Sequence, residues 1–240
     1  MASPLHQFEI NKIVPMHIGG LDASFTNSAL FMLIAVTLIT LFLVLSMRRR
    51  ALVPGRVQSV AELAYEFIGG MIRTNVGREG RPYFPFIFSL FYFILVGNML
   101  GMMPYGFTFT SHLAVTLGMA LVVFIGTTVI GFAKHGLHFL SFFLPHGTPI
   151  GLAPLLIPLE IMSYCFRPVS LSLRLFANMT AGHTLLKVFA GFVVSLGILG
   201  AIPLLAVIGL TGLEFLVAFL QAYVYTVLAC IYLNDALHMH

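Results

Sequence analysis

Charge is what this chain has least of. Of its 240 residues, 8% are Asp, Glu, Lys or Arg, while 59% are hydrophobic. A soluble domain of this length has no use for so much apolar material, so the composition excludes one and predicts a polytopic α-helical membrane protein. The apolar runs are continuous and lack period-two alternation, which excludes a transmembrane barrel. Cysteine is also scarce. Cys165 and Cys230 lie inside apolar runs without metal-type spacing, and both are expected to be reduced core residues. No Gly-rich phosphate loop is present, so no nucleotide site is expected, nor any cofactor. The first twenty-odd residues hold Glu9 and Asp22 and lack the basic start and short apolar core of a secretory signal. His135, His138 and His146 have no nearby glutamate, and an ordinary polar loop is expected there in place of a metal site.

What is present is a succession of membrane-length segments. Residues 1–26 are a polar arm, and 27–47 form an apolar span without charge, halted by Arg48, Arg49 and Arg50. In 48–82, Val60, Leu63, Ala64, Phe67, Ile68, Met71 and Ile72 follow the i, i+3, i+4, i+7 pattern, with Glu62, Glu66 and Arg73 elsewhere around the wheel. That pattern predicts an amphipathic helix lying at the membrane interface. Residues 83–134 read as a transmembrane hairpin, with spans over 83–103 and 112–133; Asn98 in the first of these is expected to be a packing residue. A loop over 135–153 leads into 154–240.

The net charge is +4, and seven of the twelve basic residues lie between Arg48 and Arg81, beside apolar spans. That clustering indicates membrane orientation, not nucleic-acid binding. It places 48–82 and 134–153 in the cytoplasm, and the N-terminus and 104–111 outside; the C-terminus is then cytoplasmic.

The final segment is apolar over 155–194 but interrupted by Glu160, Arg167, Arg174, His183 and Lys187. A second apolar run over 200–233 holds Glu214 and Gln221. Forty helical residues measure ~60 Å, twice a ~30 Å hydrocarbon layer, so these helices must be broken or steeply inclined. At 100° per residue Glu160, Arg167, Arg174 and Asn178 share one stripe, and Glu214, Gln221, Tyr225 and Tyr232 share another. Two such lines suggest a seam for an ion. An arginine at the bilayer centre costs roughly 2.5–3.5 kcal/mol and normally has an anionic partner. Glu160 with Arg167 also fits a plain structural pair, and helix–helix hydrogen bonding rivals a functional role for Asn178 and Gln221. A secondary transporter with its substrate site at Arg174 is the alternative, although such folds usually carry matched broken-helix repeats and no paired half is evident.

The run Pro168-Val-Ser-Leu-Ser-Leu-Arg174-Leu-Phe-Ala-Asn178-Met-Thr-Ala-Gly182-His183, followed by Glu214 and by Leu220-Gln221-Ala-Tyr-Val-Tyr225, closely resembles the subunit a family of F-type ATP synthases. The resemblance covers nearly the whole chain, including Gly97-Asn98 in the hairpin. It implies a non-nucleotide-binding, proton-conducting subunit of a bacterial inner-membrane rotary complex, with the c-subunit ring, the b-subunit peripheral stalk, other synthase subunits and lipid as partners. It implies that Arg174 meets the ring carboxylates, that Asn178 and Gln221 support it, and that His183 and Glu214 line the outer proton path; Glu160 is expected near the cytoplasmic path. Many bacterial members carry an acid at the position of His183 and a histidine at that of Glu214. Here the two are exchanged, which keeps one acid and one base facing each other across the helix pair.

Overall fold

The computed structural model describes residues 9–15, 17–18, 21–22, 24–48, 54–103, 106–143 and 153–238. The arm forms two small antiparallel pairs, β1 (Lys12–Val14) with β4 (Phe25–Thr26) and, nested inside, β2 (His17–Ile18) with β3 (Leu21–Asp22). Most other described residues are helical: α1 (Asn27–Met47), α2 (Arg56–Asn75), α3 (Phe84–Gly101), α4 (Leu113–His135), α5 (Ala153–Ser195) and α6 (Ala201–Leu237). Four helical stretches, ending in α1, α3, α4 and α6, are long and apolar enough to cross a membrane. The chain is an all-α polytopic membrane protein.

Local chemistry sets the helix ends. Thr26 caps α1 by accepting a hydrogen bond from the Ala29 amide at 3.4 Å. Pro85 sits in the first turn of α3, where its missing N–H costs no intrahelical bond. Lys134 and His135 occupy the last turn of α4, where the helix dipole favours cations, and Gly136 follows at φ 58°.

The interfacial stripe expected on α2 divides in two. Ile68, Met71 and Ile72 are buried against the bundle, whereas Val60, Leu63 and Phe67 remain 55%, 64% and 41% exposed. The C-terminal half of α2 packs on the bundle and Tyr65 reaches Phe84 of α3, while Val60 and Leu63 stay open to whatever surrounds the chain.

The main core lies where α3, α4 and α5 pack on α6, around Ile94, Leu175, Met179 and Ala222. On α6 the buried positions Ala218, Ala222, Tyr225, Ala229 and Leu233 recur at spacings of three and four. Small side chains on this seam let neighbouring backbones approach closely, as helix association in lipid requires. Asn98 is fully buried, donating to the Ala218 carbonyl at 3.2 Å and accepting from the Thr110 hydroxyl at 2.8 Å.

Two features differ from expectation. The α3–α4 connection is no surface loop: Phe107, Thr108, Phe109, Thr110 and Ser111 are all buried. Gly97 and Gly101 make this insertion feasible, since a Cβ at either position would collide with Phe109 or Thr108. Cys230 is buried as expected, but Cys165 is exposed.

Candidate polar seam between the two long helices

α5 continues for 43 residues through Pro158 and Pro168, a rise of about 65 Å. Of the two alternatives raised by its length, the helix is unbroken. α6 returns antiparallel after the 3-10 helix Gly197–Gly200. Two polar contacts set the register. Arg167 Nη1 lies 2.9 Å from Asp235 Oδ2, and His183 Nδ1 lies 3.2 Å from Glu214 Oε1. Interpolating between them puts Arg174 level with Tyr225, and Asn178 level with Gln221.

At one end of the seam Arg167 is enclosed. Its guanidinium pairs with Asp235 and stands 5.1 Å from the ring centroids of both Tyr164 and Tyr232. Tyr164 is in turn tied to Thr128 of α4 at 2.7 Å. The pair expected between Arg167 and Glu160 is not formed. Seven residues of helix separate the two by about 10 Å along the axis, while Asp235 stands directly across on α6. Glu160 is half-buried, with no ion pair among the described residues.

At the other end His183 and Glu214 are 8% and 4% exposed. The Nε2 of His183 lies 3.0 Å from the Thr108 hydroxyl, so the imidazole bridges Glu214 and the buried α3–α4 connection. The Nδ1 contact to Glu214 is off the line a hydrogen bond needs, and neither Glu214 oxygen has a hydrogen-bond partner among the described residues. A buried carboxyl in that condition is costly unless protonated or hydrated, which makes it suited to exchanging a proton. Gly182 supplies the room for it, because a Cβ there would stand 2.9 Å from Glu214 Oε1.

Between these ends, about 10 Å from Arg167 and about 14 Å from His183 along the helix, is Arg174. It is exposed and makes no ion pair among the described residues. Ser163, Ser170, Ala177 and Ala181 share its side of α5, so the guanidinium stands on a strip of small side chains. Asn178, one turn along α5, and Gln221 of α6 are both half-buried. His135 Nε2 lies 3.2 Å from the Leu237 carbonyl, His146 lies outside the described residues, and no cluster able to hold a metal occurs among the described ones.

Sequence reasoning missed two members of the seam. Asp235 lies beyond the apolar run of α6, at the end facing Arg167, and its opposite charge at that end was the available signal. Thr108 lies in a connection read as outside. Its signal was the uncharged Phe-Thr-Phe-Thr alternation, which is unlike a solvated loop.

A family model described as ATP synthase A chain matches residues 29–234. The chain is 62% identical over 247 aligned positions to a protein named ATP synthase subunit a from Paramagnetospirillum magneticum, with 100% of both covered. It is 57% identical to the protein of that name from Rhodospirillum rubrum, again over 100% of both. A third, from Parvibaculum lavamentivorans, is 55% identical over 98% of this chain and 93% of its own length. The polar seam and the helix pair that carries it are therefore those of a chain that belongs to the ATP synthase A chain family.

Proposed function

We propose that the chain is the stator half of a rotary proton path, working against a ring of small subunits that each carry a membrane-embedded carboxyl group. The exposed, unpaired Arg174 carries this reading. A guanidinium cannot discharge by losing its proton, so in the membrane it calls for an anion from another polypeptide. The small residues around it leave space for a helix bearing that anion.

The mechanism follows from the cost of burying charge. A ring carboxyl can face lipid only when protonated. Close to Arg174 its ionised form is favoured, because an opposite charge at short range lowers a carboxyl pKa by about 1–3 units. Arg174 therefore takes each arriving carboxyl through its charged state and keeps two half-channels from joining. Thr108, His183 and Glu214 form the outer one, and the cytoplasmic one opens toward Glu160. Asn178 and Gln221, level with each other one turn from Arg174, orient the region. Each proton crossing 100 mV releases about 2.3 kcal/mol to rotation, and so to ATP synthesis in subunits that do bind nucleotide.

In this arrangement the c-subunit ring and the b-subunit peripheral stalk are the partners. The N-terminus is outside and the C-terminus cytoplasmic, in a bacterial inner membrane. A secondary transporter is disfavoured, since α5 and α6 have no matching half elsewhere in the chain.

The test is a disulfide. Ala177→Cys, in a Cys165→Ser background of the assembled complex, should crosslink oxidatively to a cysteine placed beside the acidic residue of the ring helix. ATP hydrolysis-driven rotation should then stall until reductant is added. Failure of the Ala177 position to crosslink, while a position on the opposite side of α5 does so, would show that the ring faces elsewhere.

A further inference from the structure

A cavity of about 890 Å³ lies at the junction of α2 and α3, lined by Arg73, Arg78 and Arg81. Arg73 ends α2, while Arg78 and Arg81 belong to the 3-10 helix Arg78–Tyr83. At three residues per turn, the last two stand one above the other. No acidic residue lines the cavity among the described residues. The nearest in sequence, Glu79, is engaged by Lys134 and lies 3.9 Å from His238. None of the three arginines makes an ion pair among the described residues. Three like charges sharing one hollow repel each other unless an anion joins them.

The opposite wall is apolar. The rings of Tyr65 and Phe84 stand 4.4 Å apart, and Tyr65 is 58% exposed. Gly69 and Gly77 contribute only backbone there, which keeps the hollow open. Ile72 and Pro85 add further apolar lining. The cavity thus joins three cationic side chains to an aromatic lining, between a helix read as lying along the membrane surface and a span.

We propose that this cavity binds the phosphate headgroup of an anionic phospholipid, whose acyl chains run out over Tyr65 and Phe84. Free phosphate would satisfy the arginines but leave the aromatic wall unused. A purely acidic segment of another subunit would likewise leave the exposed Tyr65 ring uncovered. Basic pockets at helix junctions on the cytoplasmic side bind such headgroups. The proposal rests on the membrane placement of α2 and α3, not on the role of Arg174, and its readout involves no proton transport.

The experiment uses the assembled complex in bilayer discs of equimolar phosphatidylglycerol and phosphatidylcholine, extracted in mild detergent, with retained lipid measured by mass spectrometry. Wild type should retain phosphatidylglycerol at least about tenfold over phosphatidylcholine. Arg73→Gln, Arg78→Gln and Arg81→Gln, made singly to preserve folding, should each lower that ratio about fivefold. Arg56→Gln, the same charge loss outside the cavity, should leave it unchanged. Millimolar inorganic phosphate should not displace the lipid. Equal retention of the two lipids, unaltered selectivity in all three arginine variants, or ready displacement by inorganic phosphate overturns the proposal. So does loss of another subunit, with lipid selectivity intact, when the arginines are replaced.

Discussion

Arg167 and Arg174 stand two turns apart on one helix and within about 20° of each other around its axis, yet their surroundings are opposite. Arg167 is fully provided for within the chain, by Asp235 and two tyrosine rings. Arg174 is provided for by nothing described in the chain and is exposed on a strip of small residues. A cation in a membrane normally has compensation, and in the proposed function the unmatched Arg174 takes its counter-charge from outside the chain. The first arginine joins α5 to α6; the second, in the proposed function, acts on a passing group.

Removing each arginine separates the two roles, and the largest effect belongs to Arg174. With Arg174→Ala in the assembled complex, coupled ATP synthesis and ATP-driven pumping in inverted vesicles should fall below ~1% of wild type, because ring carboxyls then have nothing to hold them ionised. Thermal stability should barely move, by about 0.5 kcal/mol or less, as no contact within the chain is lost. Pumping that survives this change would remove Arg174 from the mechanism. Arg174→Lys should also fail largely, since lysine can lose its proton when desolvated and lacks the planar fork.

Arg167→Ala should show the reverse balance. It strands Asp235, and breaking such a pair costs about 3 kcal/mol, less whatever water relieves at its 21–25% exposure. The expected result is a lower unfolding midpoint in detergent with proton transport reduced in proportion to folded complex. Replacing both partners, Arg167→Met with Asp235→Leu, should restore most of the stability. If the double variant folds well but does not pump, Arg167 belongs to the proton path and the contrast with Arg174 fails.

A third change tests the far end of the seam. Gly182→Ala brings a methyl group to 2.9 Å from Glu214 Oε1, and displacing that carboxylate should cost about 1–3 kcal/mol. Proton uptake should slow roughly tenfold, with assembly preserved. An unchanged uptake rate would mean that Glu214 is not on the route.

Much of this contrast is legible in the sequence. Uninterrupted apolarity marks α1, and helical spacing puts Arg174 and His183 on opposite sides of α5, where one is exposed and the other buried. Tertiary choices are less legible. Periodicity shows which residues share a face but not which neighbour that face meets, so it matches Arg167 to Glu160 on its own helix when its partner is Asp235 on the next. The buried connection at 106–112 is hidden for a similar reason. Its burial depends on Gly97 and Gly101 making way on α3, a pairing across the chain that the local Phe-Thr-Phe-Thr alternation does not specify.

That connection supplies the smallest and sharpest prediction. Thr108 gives His183 its second contact, at Nε2, while Nδ1 faces Glu214. The Nε2 contact orients the ring with Nδ1 toward Glu214, and the hydroxyl, able to donate or accept, lets the ring switch between tautomers as a proton passes. Thr108→Val keeps the shape but removes the hydroxyl, leaving one ring nitrogen unmatched at a cost of about 1–3 kcal/mol to one protonation state. Proton uptake from the outer side should then slow by about three- to tenfold, and the pH profile of that step should shift, while crosslinking of Ala177→Cys to the ring proceeds as it does with Thr108 intact. Thr108→Ser should restore both rate and profile. A Thr108→Val complex with an unshifted profile would reduce this threonine to packing and leave His183 and Glu214 as the whole of the outer relay.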